Sequence, residues 1–201
     1  FCMCPGGKIV ASASEEGGVV TNGMSLYARD SGLANSALLV NVGPEDFTGG
    51  PLGGIELQRR YERLAFAAAG SSYYAPAQNS QSFMAGSTPS LAVSFTPSYQ
   101  PGLTAVNLEK VLPSYVIATL RGGLQDFGRR LPGFATEGLL VGVETRSSAP
   151  LRIMRKANGE ALNNSGLYPT GEGAGYAGGI MSAALDGYHQ VRHLMERFKG
   201  V

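Results

Sequence analysis

Three stretches of the chain repeat their apolar residues at the helical spacing of three and four. Between about residues 52 and 69, Leu57, Tyr61, Leu64, Ala65 and Ala68 share one face, while Arg59, Arg60 and Arg63 fall largely on others. Gly70 suits the C-terminal cap of this helix. A second helix opens at Pro113, a residue favoured in the first turn, and carries the stripe Val116, Leu120, Leu124, Phe127 and Leu131. Its Gly122-Gly123 pair marks close packing or a bend. The third and clearest helix runs from about 178 to 198, with Ile180, Ala184, Gly187, Val191, Leu194 and Phe198 in register.

Short apolar runs bounded by turn residues predict strands. Residues 1–4 and 8–14 flank a Pro5-Gly6-Gly7 turn and read as a hairpin, and a second turn at 15–18 leads into 19–24. Residues 37–42, closed by Gly43-Pro44, and residues 139–143 and 151–154 are of strand length. Thr104 is placed to cap a short helix ending before Pro113. Residues 71–102 show little periodicity beyond 91–95 and read as a long irregular connection, a kind of segment that is often functional.

Composition narrows the class of protein. With 43% hydrophobic and 15% charged residues the chain is expected to fold around a core. A net charge of +1, spread along the sequence, gives no footprint for nucleic acid or a membrane surface. No apolar run is long enough to span a bilayer and no secretory signal is present, so a cytoplasmic location is expected. The start at Phe1, without methionine and in strand-like sequence, suggests a piece of a longer protein.

Candidate chemistry is sparse. Cys2 and Cys4 are too close for an unstrained disulfide and read as free thiols; a redox pair would favour the C-x-x-C spacing. His189 and His193 are four apart on a helix, a spacing open to metal, but no glutamate completes an H-E-x-x-H frame, and surface histidines are expected with no metal. No Gly-x-Ser-x-Gly elbow points to a hydrolase.

Glycine is the informative excess, 29 of 201 residues, about twice the usual usage of roughly 7%. Its densest run, Gly171-Glu172-Gly173-Ala174-Gly175-Tyr176-Ala177-Gly178-Gly179, contains G-x-G-x-x-G ahead of the last helix. Such an order suits backbone N–H groups approaching an anionic or electron-rich group at a helix N-terminus. A Rossmann first turn also needs a second strand and an acidic residue some 20 positions on, and the chain ends at Val201. Two readings stay open: a binding loop, or a turn that lets the last helix pack tightly.

Several unusual motifs occur in one order: Phe1-Cys2-Met3-Cys4-Pro5-Gly6-Gly7, Val19-Val20-Thr21-Asn22-Gly23-Met24-Ser25, Pro97-Ser98-Tyr99-Gln100-Pro101-Gly102, Gly142-Val143-Glu144-Thr145-Arg146-Ser147-Ser148-Ala149-Pro150, and the glycine run through Ile180. Together they resemble the uncharacterised FAD-dependent dehydrogenases, bacterial flavoproteins of the glutathione-reductase-like superfamily. The resemblance implies an α/β fold. A substrate-side α+β domain with a mainly antiparallel or mixed sheet would occupy 1–162, and 163–201 would be the strand-loop-helix end of an FAD-binding domain. It implies FAD as cofactor in the full-length protein, with Gly171, Glu172, Gly173, Ala174, Gly175, Gly178, Gly179 and Ile180 at the flavin. Glu172 would lie near the ribityl or pyrophosphate part, and the amides of Gly178, Gly179 and Ile180 at the pyrimidine side of the ring. Thr145 and Arg146 join this set, Arg146 as a fork for an FAD oxygen or a substrate carboxylate; the alternative is a structural pairing of Glu144 with another segment of the chain. Asn22, Tyr27 and Arg29 are candidates for the substrate pocket, or simply a hydrogen-bonded turn. The implied partners are a small-molecule substrate or electron acceptor and the Rossmann half of the same polypeptide. The competing reading is a cofactor-free module with a docking role.

Overall fold

The computed structural model describes Met3 and residues 5–199. The strand expected over 1–4, apart from Met3, and the thiols of Cys2 and Cys4 lie outside the described residues. The chain divides into two compact units, Phe1–Asp46 with Leu57–Thr145, and Phe47–Glu56 with Arg146–Val201. Helices combine with one antiparallel and one mixed sheet, which is an α/β organisation.

In the first unit, β1 (Gly7–Ala11) pairs antiparallel with β2 (Thr21–Ser25), Ile9 facing Gly23. The second sheet has the order β4 (Leu103–Ala105), β3 (Ala75–Asn79), β5 (Leu139–Val141), with β3–β4 parallel and β3–β5 antiparallel. Its central strand, Ala-Pro-Ala-Gln-Asn, falls inside the stretch expected to be irregular. All five of its residues are buried, so it shows no polar–apolar alternation, and its small side chains carry little hydrophobic signal. Asn79 then ends the strand and caps α2 (Ser80–Ala85), its side chain accepting from the Ser82 amide at 2.9 Å.

Helix α1 (Gly53–Ala68) and helix α3 (Ser114–Arg130) lie within two residues of their expected bounds. Their buried faces are rotated from the expected ones. On α1 the inward residues of this unit are Glu62, Ala65 and the following Ala69, while Leu64 is exposed. The buried Glu62 carboxylate is satisfied by the Thr145 hydroxyl at 2.7 Å, which is what lets an acid occupy the core side. On α3, Ile117 and Leu124 are buried and Phe127 and Leu131 are exposed.

Two packed clusters complete the unit. One joins Val19, Ala65, Ala75, Tyr99, Val106, Val111 and Val143, and the other joins Phe83, Leu108, Ile117 and Leu124. Residues 37–42 form no strand; Leu38 instead packs against the second cluster. Thr104 lies in β4 and bonds the Ala69 carbonyl, so the 3-10 turn Leu108–Lys110 is capped by Asn107 instead.

The second unit holds the start of α1, the segment 146–179 and helix α4 (Ile180–Arg197). Residues 151–154 do not form the expected strand. Only an isolated bridge joins Arg155 to Ala161 in this region, because the chain turns back at 156–160 through the Lys156 N–H···O=C Glu160 bond (2.7 Å). The expected domain boundary after 162 falls inside this unit, since Arg155 and Glu160 are tied to α4 by ion pairs.

Candidate functional site

The glycine run is strapped to α4 by a largely buried ion pair. Arg155 reaches both Asp186 oxygens, at 2.6 and 3.1 Å, and the Pro169 carbonyl at 2.9 Å. Asp186, in the second turn of α4, also accepts from the Gly171 amide at 2.8 Å. The Arg155 guanidinium lies 3.6 Å from the centre of the Tyr176 ring, stacking at cation–π distance. The Arg155 hydrogen bond, with the Gly171 amide adding to it, holds the Asp186 carboxyl below its ordinary range despite burial, and Asp186 in turn raises Arg155.

The run folds on itself through Gly175 N–H to Glu172 O (2.9 Å) and Tyr176 N–H to Gly171 O (3.0 Å). Gly171 and Gly175 have φ of 76° and 82°, in the left-handed region where side chains are strained. A Cβ on Gly175 would also sit 2.4 Å from the Leu151 carbonyl oxygen. At these two positions glycine is required by the fold alone.

Gly173, Gly178 and Gly179 differ. None has positive φ, and nothing in the structure comes within 4 Å of a Cβ built on them. Neither sterics nor backbone conformation calls for glycine there. Gly178 and Gly179 directly precede α4, where Gly179 offers no side-chain cap. Ser182 Oγ accepts from Gly178 N–H at 3.3 Å and donates to Gly179 O at 3.0 Å. The following first-turn amides have no intrahelical acceptor and carry the positive end of the helix dipole. Ile180 and Met181 are 77% and 72% exposed, so the helix start is open.

A cleft of about 500 Å³ adjoins it, lined by Ser148, Arg152, Tyr176 and Gly178 among others. Arg152 is anchored by its Nε on the Gly175 carbonyl (2.9 Å) and lies 5.0 Å from the Tyr176 ring centre. A cation, a hydroxyl, an aromatic ring and a glycine backbone thus converge on one opening, a donor set suited to a planar, oxygen-rich ligand.

A family model described as FAD-dependent protein, C-terminal domain-like, matches residues 1–147. The chain belongs to this family. The match covers the first unit and stops before the glycine run. A Clostridium beijerinckii protein named "Uncharacterized protein" is 51% identical over 200 residues, which are 98% of this chain and 38% of that relative. The chain therefore spans well under half the length of the relative it matches.

In this FAD-dependent family member the other sequence-derived candidates scatter. Thr145 sits at the end of the segment after β5, its hydroxyl committed to Glu62 and its carbonyl accepting from Gln58 at 2.8 Å. Glu144 beside it is half-buried, and burial pushes its carboxyl up to about 7. Arg146 is half-buried and begins the second unit. Asn22 lies on β2 with its side-chain oxygen buried and unpartnered among the described residues. Tyr27 is fully exposed, and Arg29 closes a turn by donating to the Leu26 carbonyl at 3.0 Å. Of the glycine-run set, Gly175 and Gly178 line the cleft and Gly179 and Ile180 follow at the helix start, whereas Gly171 and Ala174 are buried. Sequence reasoning missed Arg152, Arg155 and Asp186, and held Ser148 and Tyr176 only as members of quoted motifs, without a role. The one available signal was Asp186, a charge inside a helix, off its apolar stripe.

Among the described residues, no group of three or more His, Cys, Asp or Glu is arranged to hold a metal ion. Among them, too, no helix is long and apolar enough to cross a membrane.

Proposed function

We propose that this chain is the C-terminal portion of an FAD-dependent oxidoreductase, a dehydrogenase of the glutathione-reductase-like superfamily, and that its glycine run forms the ribityl and isoalloxazine side of the flavin site. One observation supports the placement above all: Gly178 and Gly179 leave open space at a helix start without a side-chain cap, with no demand from the fold for glycine. A bound ring or sugar lying against the backbone supplies that demand.

The FAD, when bound, supplies the electron-transfer chemistry. The chain's own residues bind and orient. First-turn amides of α4 would present donors and the positive end of the helix dipole to an electron-rich part of the cofactor. The half-buried Glu172 offers a carboxylate acceptor to a ribityl hydroxyl. Arg152 and Ser148 supply a cation and a hydroxyl to an anionic group of cofactor or substrate. Thr145 is left out, since its hydroxyl is already used by Glu62.

The test is Gly178→Leu in the full-length protein. Its backbone accommodates a side chain and nothing lies in the way, so the melting temperature is expected to hold while flavin retained per protein falls at least tenfold. Full flavin content in a normally folded Gly178→Leu protein would refute the placement. Gly178→Ala serves as the milder companion, expected to fall between the two.

A further inference from the structure

Helix α4 is built inside out. The residues it turns toward its own unit are polar: Asp186, Gln190, His193 and Arg197 recur at i, i+4, i+7 and i+11, one stripe of a helix. Asp186 binds Arg155, Arg197 binds Glu160, and Gln190 is buried against Gly159. These contacts fix how the helix is rolled. Its apolar stripe therefore faces away. Ile180 is 77% exposed, Tyr188 60%, Met195 61%, Phe198 58%, Leu185 55% and Val191 54%. Scattered exposed apolar residues are ordinary, but a continuous stripe of six along five turns is the pattern of an interface.

We infer that this face is the docking surface for the remainder of the full-length polypeptide, which lays an apolar surface of its own across α4. The occupant follows from length. The aligned relative is 51% identical over nearly this whole chain, yet more than half of that relative has no counterpart here. A covalently attached partner of that size needs only a modest affinity of its own to cover the face, since attachment supplies a high local concentration. The inference does not depend on what the remainder binds, so it stands apart from the flavin reading.

Oxidative footprinting tests it without any substitution. Met181, Tyr188 and Met195 are built-in probes on the exposed face. Hydroxyl radicals are applied to the 201-residue chain at low concentration and to the full-length protein, with and without its flavin removed. Rates are expected to be near those of free residues in the chain and at least fivefold slower in the full-length protein, flavin present or absent. Equal labelling in both overturns the inference. So does protection already present in the short chain: a dependence on concentration would then mark a second copy as the occupant, and its absence the chain's other unit. Protection in the full-length protein that vanishes with the flavin also overturns it, because the cofactor and not the polypeptide would be the cover.

Discussion

Removing the Asp186 carboxylate should loosen the glycine run more than any other single change near it. In Asp186→Ala the Arg155 guanidinium, only 16% exposed, loses its counter-charge and two hydrogen bonds, and the Gly171 amide loses its acceptor. Breaking a buried pair from one side costs about 3–5 kcal/mol, because a desolvated charge is left uncompensated. Arg155 keeps the Pro169 carbonyl and the Tyr176 ring, and both partners retain some contact with water, which places the cost near the lower bound, at about 3 kcal/mol. For a chain of this length that corresponds to a melting temperature lower by about 6–12 °C. The sharper assay is hydrogen exchange at the Gly171 amide. If the strap opens locally, the same 3 kcal/mol accelerates exchange there by roughly two orders of magnitude.

The double replacement Arg155→Met with Asp186→Leu removes both charges and should recover most of the loss, since an apolar pair of similar volume carries no desolvation penalty. Acid supplies a further check. Pairing lowers the Asp186 carboxyl from its ordinary 3.8, so the stabilisation is full above that value and is lost as pH falls through the folded one. Unaltered Gly171 exchange in Asp186→Ala, with an unchanged melting temperature, would show that the run is held by something other than this strap.

Two further outcomes follow from the same geometry. Gly175→Ala forces a left-handed residue and a Cβ 2.4 Å from the Leu151 oxygen; a loss of about 2–3 kcal/mol in urea titration is expected, whereas Gly173→Ala should stay within about 0.5 kcal/mol. Glu144 should titrate near 7 in a carbon-detected NMR titration, identified by the signal lost in Glu144→Gln, and a midpoint near 4.5 would refute its burial. Because the folded protein holds this proton more tightly than the unfolded one, stability should fall as pH rises from 4.5 to about 7. A dry carboxyl displaced this far amounts to about 3.4 kcal/mol, which half-burial reduces to about 1–2 kcal/mol. Glu144→Gln should abolish that slope.

Helices were legible because their period is written in the side chains, and α1, α3 and α4 lie within about two residues of their expected bounds. Period identifies which residues share a face, but not which face looks inward. On α1 a satisfied Glu62 takes the inward side from Leu64, and on α4 the polar stripe faces in, because Arg155 and Glu160 supply its partners from 31 and 37 residues upstream in contacts no local window contains. Strands were less legible for a related reason. β3 is central and buried on every residue, so it lacks alternation, whereas the apolar runs at 37–42 and 151–154 have strand-like sequence and no strand to pair with.

The glycine run shows the same division at the level of single residues. Sequence sees one cluster of equivalent glycines. The structure sorts them by cause: positive φ at Gly171 and Gly175, open space at Gly173, Gly178 and Gly179. The two readings left open by sequence, packing and binding, therefore apply to different members of one motif. Glycines of the first kind shape the loop whether or not a ligand ever arrives. Those of the second kind answer to no steric or backbone demand of the described fold, which is why a surface outside it is the proposed reason for them. The outward stripe of α4 poses the same question one turn further on, and the two need not have the same answer: a cofactor suits the polar, amide-rich start of the helix, and polypeptide suits its apolar length. On these two proposals helix α4 would carry two interfaces with different chemistry. A leucine at Gly178 and an oxidised methionine at position 195 should report on them independently.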